Sequence, residues 1–476
     1  MPENPIKTRF APSPTGYIHL GNVRTALFNA LLARRLGGTF LLRSEDTDTT
    51  RSGYEYFEAL QEDLQWMGLD WQEGPGKEEA GNGPYHQSER NDIYDRYYRM
   101  LEEKGLAYPC FATEQELKMI RKAQLAAGQP PRYPGTYRDI SEEEKERLLA
   151  EGRKPTLRFR VPEGQEIVFQ DLVQGEKRFQ SDEIGDFIIR RADGTPSFFF
   201  TNAVDDALMG VTHVLRGEDH LTNTPRQLML LEALGLTAPQ YGHTALIVGH
   251  DGAPLSKRNG SAAVRDLREQ GYLPEALNNH LARLGHHYAE GDFMAFDALA
   301  EAFEIENLGR APARHDHDQL RHWQKEAVLH AEGDELWNWM GERVHHLIPE
   351  GRESAFLDVI RDNVMFPEEA EEWANILFIG GTEFSDKAVE EVRSVDPDFL
   401  HVLLEAVAAG TDFQALGKQL KEATGLKGRK LFMPLRAALT GRTDGPQLGD
   451  VLELVARDCA IDRIQHARSL NTEQPE

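Results

Sequence analysis

The chain has 476 residues, 40% of them hydrophobic and 28% charged, which favours several domains over one core and excludes a disordered polymer. A net charge of −26 argues against binding nucleic acid through the overall field, and two cysteines, Cys110 and Cys459, exclude a disulfide framework or a four-cysteine zinc site. The opening Met1-Pro2-Glu3-Asn4-Pro5 has no signal-peptide pattern and no apolar run reaches the roughly 20 residues of a membrane helix, so a soluble cytoplasmic protein is expected.

Residues 7–10 read as a short strand, and 11–16, with two prolines and a glycine, as the turn after it. Residues 20–36 carry apolar side chains at helical spacing until Gly37-Gly38 stops them. Residues 39–43 form a buried strand, with Glu45 just past its carboxyl end. Strand, helix, strand is one winding of a parallel α/β sheet, whose ligands sit at the carboxyl ends of its strands. Residues 53–68 read as a helix, and Ser88 as the cap of another running to about Lys104. Composition changes after Gly105: two polar helical segments flank Pro130-Pro131, then 156–160, 167–172 and 187–191 look like strands. This stretch, 105–200, is read as an insertion. The sheet resumes with 211–216, a helix follows over 224–235, and 241–248 is expected to be its last strand. Beyond about 265 the pattern is helical to the end, with a boundary near 320–335.

Two separated segments carry chemistry. His19 and Gly21 stand at a helix start, where free N–H groups and the helix dipole attract phosphate. Lys257 and Arg258, between Ser256 and Gly260, supply loop cations suited to the charge that builds on phosphorus during adenylate formation. Arg9, Glu45 and Arg216 lie at strand ends, and two guanidinium groups with one acid suit a ligand bearing one ammonium and two carboxylates. Two basic islands interrupt the acidic chain: 117–138 holds five basic residues and no acid, and 421–442 holds six against Glu422. The cysteines read as small buried hydrophobes, and the pairs His286/His287, His315/His317 and His345/His346 as solvated surface residues without partner ligands.

The run Thr8-Arg9-Phe10-Ala11-Pro12-Ser13-Pro14-Thr15-Gly16, with His19 to Asn22, resembles the opening of bacterial-type glutamyl-tRNA synthetases, which are class I aminoacyl-tRNA synthetases. Arg43-Ser44-Glu45-Asp46-Thr47-Asp48, Val204-Asp205-Asp206, Arg216-Gly217-Glu218-Asp219-His220, Leu255-Ser256-Lys257-Arg258 and Pro434-Leu435-Arg436 extend the likeness over nearly the whole chain. The resemblance implies an α/β fold: a Rossmann-like parallel-sheet catalytic domain (1–104 and 201–255) with an acceptor-stem-binding α+β insertion (105–200). A helical linking domain carrying the Ser-Lys-Arg loop (256–325) and an all-α anticodon-binding region (326–476) would follow. It implies glutamate contacts by Arg9, Ala11, Ser13, Glu45, Phe198, Asn202 and Arg216, and ATP contacts by Pro12, His19, Gly21, Asn22, Ser256 and Lys257. His19, Lys257 and Arg258 would be catalytic, with ATP and Mg²⁺ entering as the substrate complex. Arg121, Lys122, Arg132, Lys427, Arg429, Lys430 and Arg436 would hold tRNA-Glu, or tRNA-Gln if the enzyme does not discriminate, and a monomer is expected.

Four departures from the family pattern stand out. Pro254 replaces a loop lysine, Phe198 replaces a tyrosine, Asn22 ends the signature, and Cys110 lacks the further cysteines of zinc-binding members, so no structural zinc is expected. Three other readings are a glutaminyl-tRNA synthetase, a smaller adenylate-forming ligase and an inactive tRNA-binding paralogue. The motifs speak against the first, the long helical C-terminal half against the second, and intact His19, Lys257 and Arg9 against the third.

Overall fold

The computed structural model describes residues 5–47, 53–253, 255, 262–381 and 383–472. They divide into two compact units, Met1–Leu267 with Leu277–His317, and Arg268–Ala276 with Asp318–Glu476. Among the described residues no helix is long and apolar enough to cross a membrane.

In the first unit β1 (Lys7–Phe10) pairs in parallel with β2 (Thr39–Leu42), joined by helix α1 (Leu20–Arg35). The helix is buried on almost every face, so its polar residues there need protein partners. Asn29 Nδ2 donates to the Leu215 carbonyl (2.9 Å), and Thr8 Oγ1 donates to the Asn29 carbonyl (2.8 Å). Helices α2 (Tyr54–Trp66) and α3 (Asn91–Glu103) follow. The insertion opens with β3 (Ala107–Cys110), then α4 (Glu114–Ala126), α5 (Glu142–Ala150) and β4 (Thr156–Phe159). A hairpin of β5 (Glu166–Asp171) and β6 (Gly175–Gln180) comes next, then the short α6 (Ser181–Ile184) and β7 (Phe187–Arg190). Strands β3, β4 and β7 form an antiparallel sheet. Helix α7 (Phe198–Leu208) returns the chain to the parallel layer at β8 (His213–Gly217), and α8 (Thr224–Leu234) crosses to β9 (Gln240–Thr244). The Thr212 N–H donates to the Lys7 carbonyl (2.9 Å), setting β8 beside β1.

The second unit is helical, and Phe399, Leu400, Leu403, Leu416, Leu420, Leu435 and Ile464 fill one of its cores. Arg463, buried among them, is satisfied by backbone carbonyls, including that of Ile376 at 2.7 Å.

Several expectations need correction. The single last strand over 241–248 is two strands, β9 and β10 (Ile247–Val248), and β10 pairs with β11 (Ala313–Arg314), a two-residue strand within the stretch read as overwhelmingly helical. The insertion holds two strands more than foreseen, β3 and β6. Ser88 does not cap α3. It donates its N–H and hydroxyl to Asp46 (2.9 and 2.8 Å) from a one-turn 3₁₀ segment, and Arg90 holds the cap position. His286 and His315 are buried, not solvated: His286 stacks on Phe303 (4.7 Å) and His315 Nδ1 meets His280 Nε2 (2.9 Å).

Candidate functional site

The carboxyl ends of β1, β2 and β8 open into a cleft of about 490 Å³. The segment after β1 lines it with Ala11, Pro12 and Ser13, and the start of α1 with His19, Gly21 and Asn22. Arg9, Glu45, Phe198, Asn202 and Arg216 line it from β1, β2, α7 and β8. One cleft therefore gathers every described residue expected to touch glutamate or ATP. Ser256, Lys257 and Arg258 lie outside the described residues, as does Pro254. Their described flanks reach the cleft: Leu255 lines it, and Ala263 forms an antiparallel bridge with His19.

Charge in the cleft is arranged in a buried lattice. Arg43, wholly buried, pairs with Asp206 Oδ1 (2.8 Å) and Glu45 Oε1 (3.2 Å), while Arg9 Nε approaches Asp206 Oδ1 at 3.4 Å. Burial would raise the Asp206 carboxyl, but Arg9 and Arg43 outweigh it and hold it below the usual carboxylate range. Asp205 faces away and accepts from Arg90 Nε, Gln87 Nε2 and Tyr94 Oη, each at 2.8 Å. Glu45 is pushed up by burial despite Arg43 and the amide of Asn202, whose Nδ2 donates to it at 2.6 Å. The cations beside it, Arg43 and Arg9, do not fully offset that burial.

Arg216 has the opposite deficit. Its Nη2 donates to Thr224 Oγ1 (2.8 Å) and Gln227 Oε1 (2.7 Å), and its Nε to His243 Nε2 (3.1 Å). Nη1, also buried, has no partner among the described residues. Burial pulls the guanidinium down to about 10, so it stays charged at neutral pH. The cleft therefore suits a ligand that brings a cation to Glu45 and an anion to Arg216.

His19 is the N-cap residue of α1, but its side chain makes no capping bond. Its Nδ1 is buried without a partner among the described residues, and burial lowers its pKa, leaving a neutral ring at the helix entrance. A Cβ at position 21 would come within 3.3 Å of that ring, so Gly21 keeps room for the His19 imidazole. Phe198 lies 5.5 Å from the His220 ring, and burial, with Arg216 nearby, lowers His220 to about 4.

Sequence reasoning missed several residues that shape the cleft. Arg43 and Asp206 lay inside motifs already singled out, so their place there was the available signal. Arg24 lines the cleft and ties α1 to the carbonyls of Leu284 (2.9 Å) and Ala245. Thr224, Gln227 and His243 carry no motif.

The basic islands lie elsewhere. Arg121, Lys122 and Arg132 are exposed in the insertion, while Lys427, Arg429 and Lys430 are exposed in the helical unit. Arg436 differs, being half-buried with Nη1 on the Pro446 carbonyl (2.8 Å). Cys110 is buried as expected, yet it is also an acceptor: Arg158 Nε donates to Sγ (3.2 Å), and Tyr133 Oη lies 3.4 Å away. Among the described residues no group of three His, Cys, Asp or Glu side chains is placed to hold a metal ion. Cys459 is only partly buried.

Comparison with known proteins agrees with this geometry. Residues 5–322 match the catalytic-domain model of class I tRNA synthetases (E and Q), and residues 318–468 match an anticodon binding domain. The chain is 57% identical to glutamate–tRNA ligase 2 of Alkalilimnicola ehrlichii, with 99% of each chain covered. It is 56% identical to glutamate–tRNA ligase 2 of Nitrosococcus oceani, over 98% of this chain and 99% of that one. A crystal structure of a glutamate tRNA ligase from Elizabethkingia meningosepticum superposes with a TM-score of 0.87 at 30% identity, covering 98% of this chain and 99% of the other. A class I catalytic unit, an anticodon-binding half and full-length likeness at this level agree on one assignment: the chain belongs to the glutamate–tRNA ligase family of class I aminoacyl-tRNA synthetases.

Proposed function

We infer that the protein is a glutamate–tRNA ligase, which activates L-glutamate with ATP and transfers it to the 3′-terminal adenosine of tRNA-Glu. The observation that carries the choice of amino acid is the placement of one acid and one guanidinium in the same cleft, Glu45, whose burial Arg43 does not fully offset, and Arg216, whose buried Nη1 has no partner among the described residues. An α-ammonium satisfies the first and a side-chain carboxylate the second. Arg9, Ala11, Ser13, Phe198 and Asn202 bound the rest of that subsite, and Pro12, His19, Gly21 and Asn22 receive ATP.

In the first step the glutamate α-carboxylate attacks the α-phosphorus and pyrophosphate leaves. Mg²⁺ enters with ATP as part of the substrate. His19 presents a neutral imidazole to the phosphates at the start of α1, Ser256 contacts ATP, and Lys257 and Arg258 supply charge to the transition state. In the second step the 2′-hydroxyl of the terminal adenosine attacks the glutamyl carbonyl carbon and AMP leaves. Arg121, Lys122 and Arg132 hold the acceptor side of the tRNA, with Lys427, Arg429 and Lys430 on its anticodon side. The domain limits given by the resemblance are retained in this proposal, as are a cytoplasmic location and a monomeric state.

A charging assay tests the reading. Purified tRNA-Glu and tRNA-Gln are each offered glutamate, glutamine and aspartate. Glutamate on tRNA-Glu is the expected product, and glutamate on both tRNAs would extend the enzyme to tRNA-Gln. Preferential charging of glutamine would overturn the assignment of Arg216, and preferential charging of aspartate would overturn the choice of amino acid.

A further inference from the structure

A buried chain of three side chains runs from the insertion hairpin to the floor of the cleft. Asp171 ends β5, where the Leu172 N–H donates to the Tyr241 carbonyl (2.8 Å) and ties the hairpin to β9. Its Oδ1 accepts three backbone N–H groups, from Val173 (2.9 Å), Gln174 (2.7 Å) and His243 (3.2 Å). Its Oδ2 faces His243 Nδ1 at 2.5 Å, and both side chains are fully buried. Across the ring, His243 Nε2 meets Arg216 Nε and Thr224 Oγ1, each at 3.1 Å.

This arrangement sets the tautomer. With Oδ1 occupied by backbone donors, Asp171 remains a carboxylate, and Oδ2 needs a donor from His243. Nδ1 therefore carries the proton and Nε2 offers its lone pair to Arg216. Burial would raise Asp171, but the hydrogen bonds from His243 and the backbone outweigh it and lower its pKa. Burial also lowers His243, with Arg216 adding to that effect, so the ring stays neutral.

We propose that Asp171 and His243 are positioning residues for amino-acid recognition: the oriented imidazole accepts from Arg216 Nε and so turns the free Nη1 into the cleft toward the substrate's side-chain carboxylate. The proposal rests on the reading of Arg216 as the carboxylate-binding residue. With Nε on His243 and Nη2 on Thr224 and Gln227, three donor directions fix the guanidinium plane. Tyr241, whose ring centroid lies 5.0 Å from Arg216 Cζ, supports one face of it. Neither Asp171 nor His243 lines the cleft, so each acts through Arg216.

The test exploits the tautomer. In Asp171→Asn the backbone N–H groups retain the amide oxygen, so the NH₂ faces His243 and forces the proton onto Nε2, against Arg216. The expected result is a rise of at least ~10-fold in KM for glutamate, the factor carried by one hydrogen bond to a charged group. The kcat for charging and KM for ATP stay within about threefold of wild type. His243→Gln can present Oε1 where Nε2 stood, an orientation that the Arg216 Nε donor favours, and it leaves no group at the Nδ1 position for residue 171 to reorient. In the Asp171→Asn background it returns KM for glutamate to the value of His243→Gln alone, because both residues act on Arg216 through one shared hydrogen bond. An unchanged KM in Asp171→Asn, or additive defects in the double variant, overturns the proposal. Arg216→Gln is measured in parallel: if it too leaves KM for glutamate unchanged, the reading of Arg216 itself has failed.

Discussion

Glu45 and Arg216 show why burial matters more than proximity at this site. In water either group would be satisfied by solvent, but inside the cleft each lost partner costs free energy until a ligand supplies it. Arg43 holds Glu45 Oε1 and Asp206 Oδ1 together, which fixes the Glu45 carboxylate in the cleft while Nη1 of Arg216 keeps no partner among the described residues. The proposed role of Lys257 follows the same logic, since its charge would count only while phosphorus carries excess negative charge. Lys257→Ala should lower glutamate-dependent ATP–pyrophosphate exchange, with tRNA present, by at least ~10²-fold, as for loss of one transition-state contact. A change below about twofold would remove this residue from the chemistry. Arg9, Glu45 and Arg216 were legible because two guanidinium groups and one acid converge at the strand ends of one sheet edge, where ligands bind. Gln227 and His243 were not. Their roles come from partners far off in the chain: Gln227 Nε2 reaches Asn202 Oδ1 at 2.6 Å, and His243 reaches Asp171. No local pattern of residue types encodes such pairings.

At the scale of elements, β1, α1, β2 and α8 were readable because each is bounded by a turn or glycine and carries its own apolar rhythm. Strand β6, Gly-Glu-Lys-Arg-Phe-Gln, hid because it is charged and half-exposed, and it holds its shape by pairing with β5. Strand β3 contains Pro109, and β11 is two residues long, too short for any period to register. Helix α4 is the opposite case, a predicted helix without a single buried residue. Little packing holds it, so its ends matter more. Thr113 Oγ1 accepts from the Glu116 N–H (3.2 Å), and the Glu116 carboxylate accepts from the Thr113 N–H (2.7 Å). Those hydrogen bonds from Thr113 lower the Glu116 pKa, so the cap is intact at neutral pH and weakens as pH falls through that lowered value. Thr113→Ala should cost the helix ~1 kcal/mol. The readout is faster amide exchange across 116–126, with the rest of the first unit unchanged. Because Arg121 and Lys122 ride on α4, tRNA affinity should fall as well. Unaltered exchange would mean that the helix is held by something other than its cap.

Across the whole molecule, 79 acidic residues against 53 basic ones would repel a polyanion if the chain acted as one uniform charge. It does not, because at about 0.1 M salt the screening length is near 10 Å, and a phosphate responds to the side chains beside it. The island of Lys427, Arg429 and Lys430 is exposed, and each tRNA phosphate it would neutralise under the proposed function would release counterion. Replacing these three residues by Gln should weaken tRNA binding. It should also reduce the magnitude of the slope of log affinity against log salt by about 2 to 3, at roughly 0.7 to 0.9 per contact. Arg436 sits in the same stretch but is half-buried, with a donor on the Pro446 carbonyl and a pKa lowered by burial. Arg436→Gln should therefore lower the melting temperature of the helical unit while leaving the salt slope nearly as it was. The two outcomes separate charge that faces a partner from charge that holds the fold. A slope unmoved by the triple substitution would show that tRNA docks on a different face, and a slope moved by Arg436→Gln alone would show that its free donors reach phosphate.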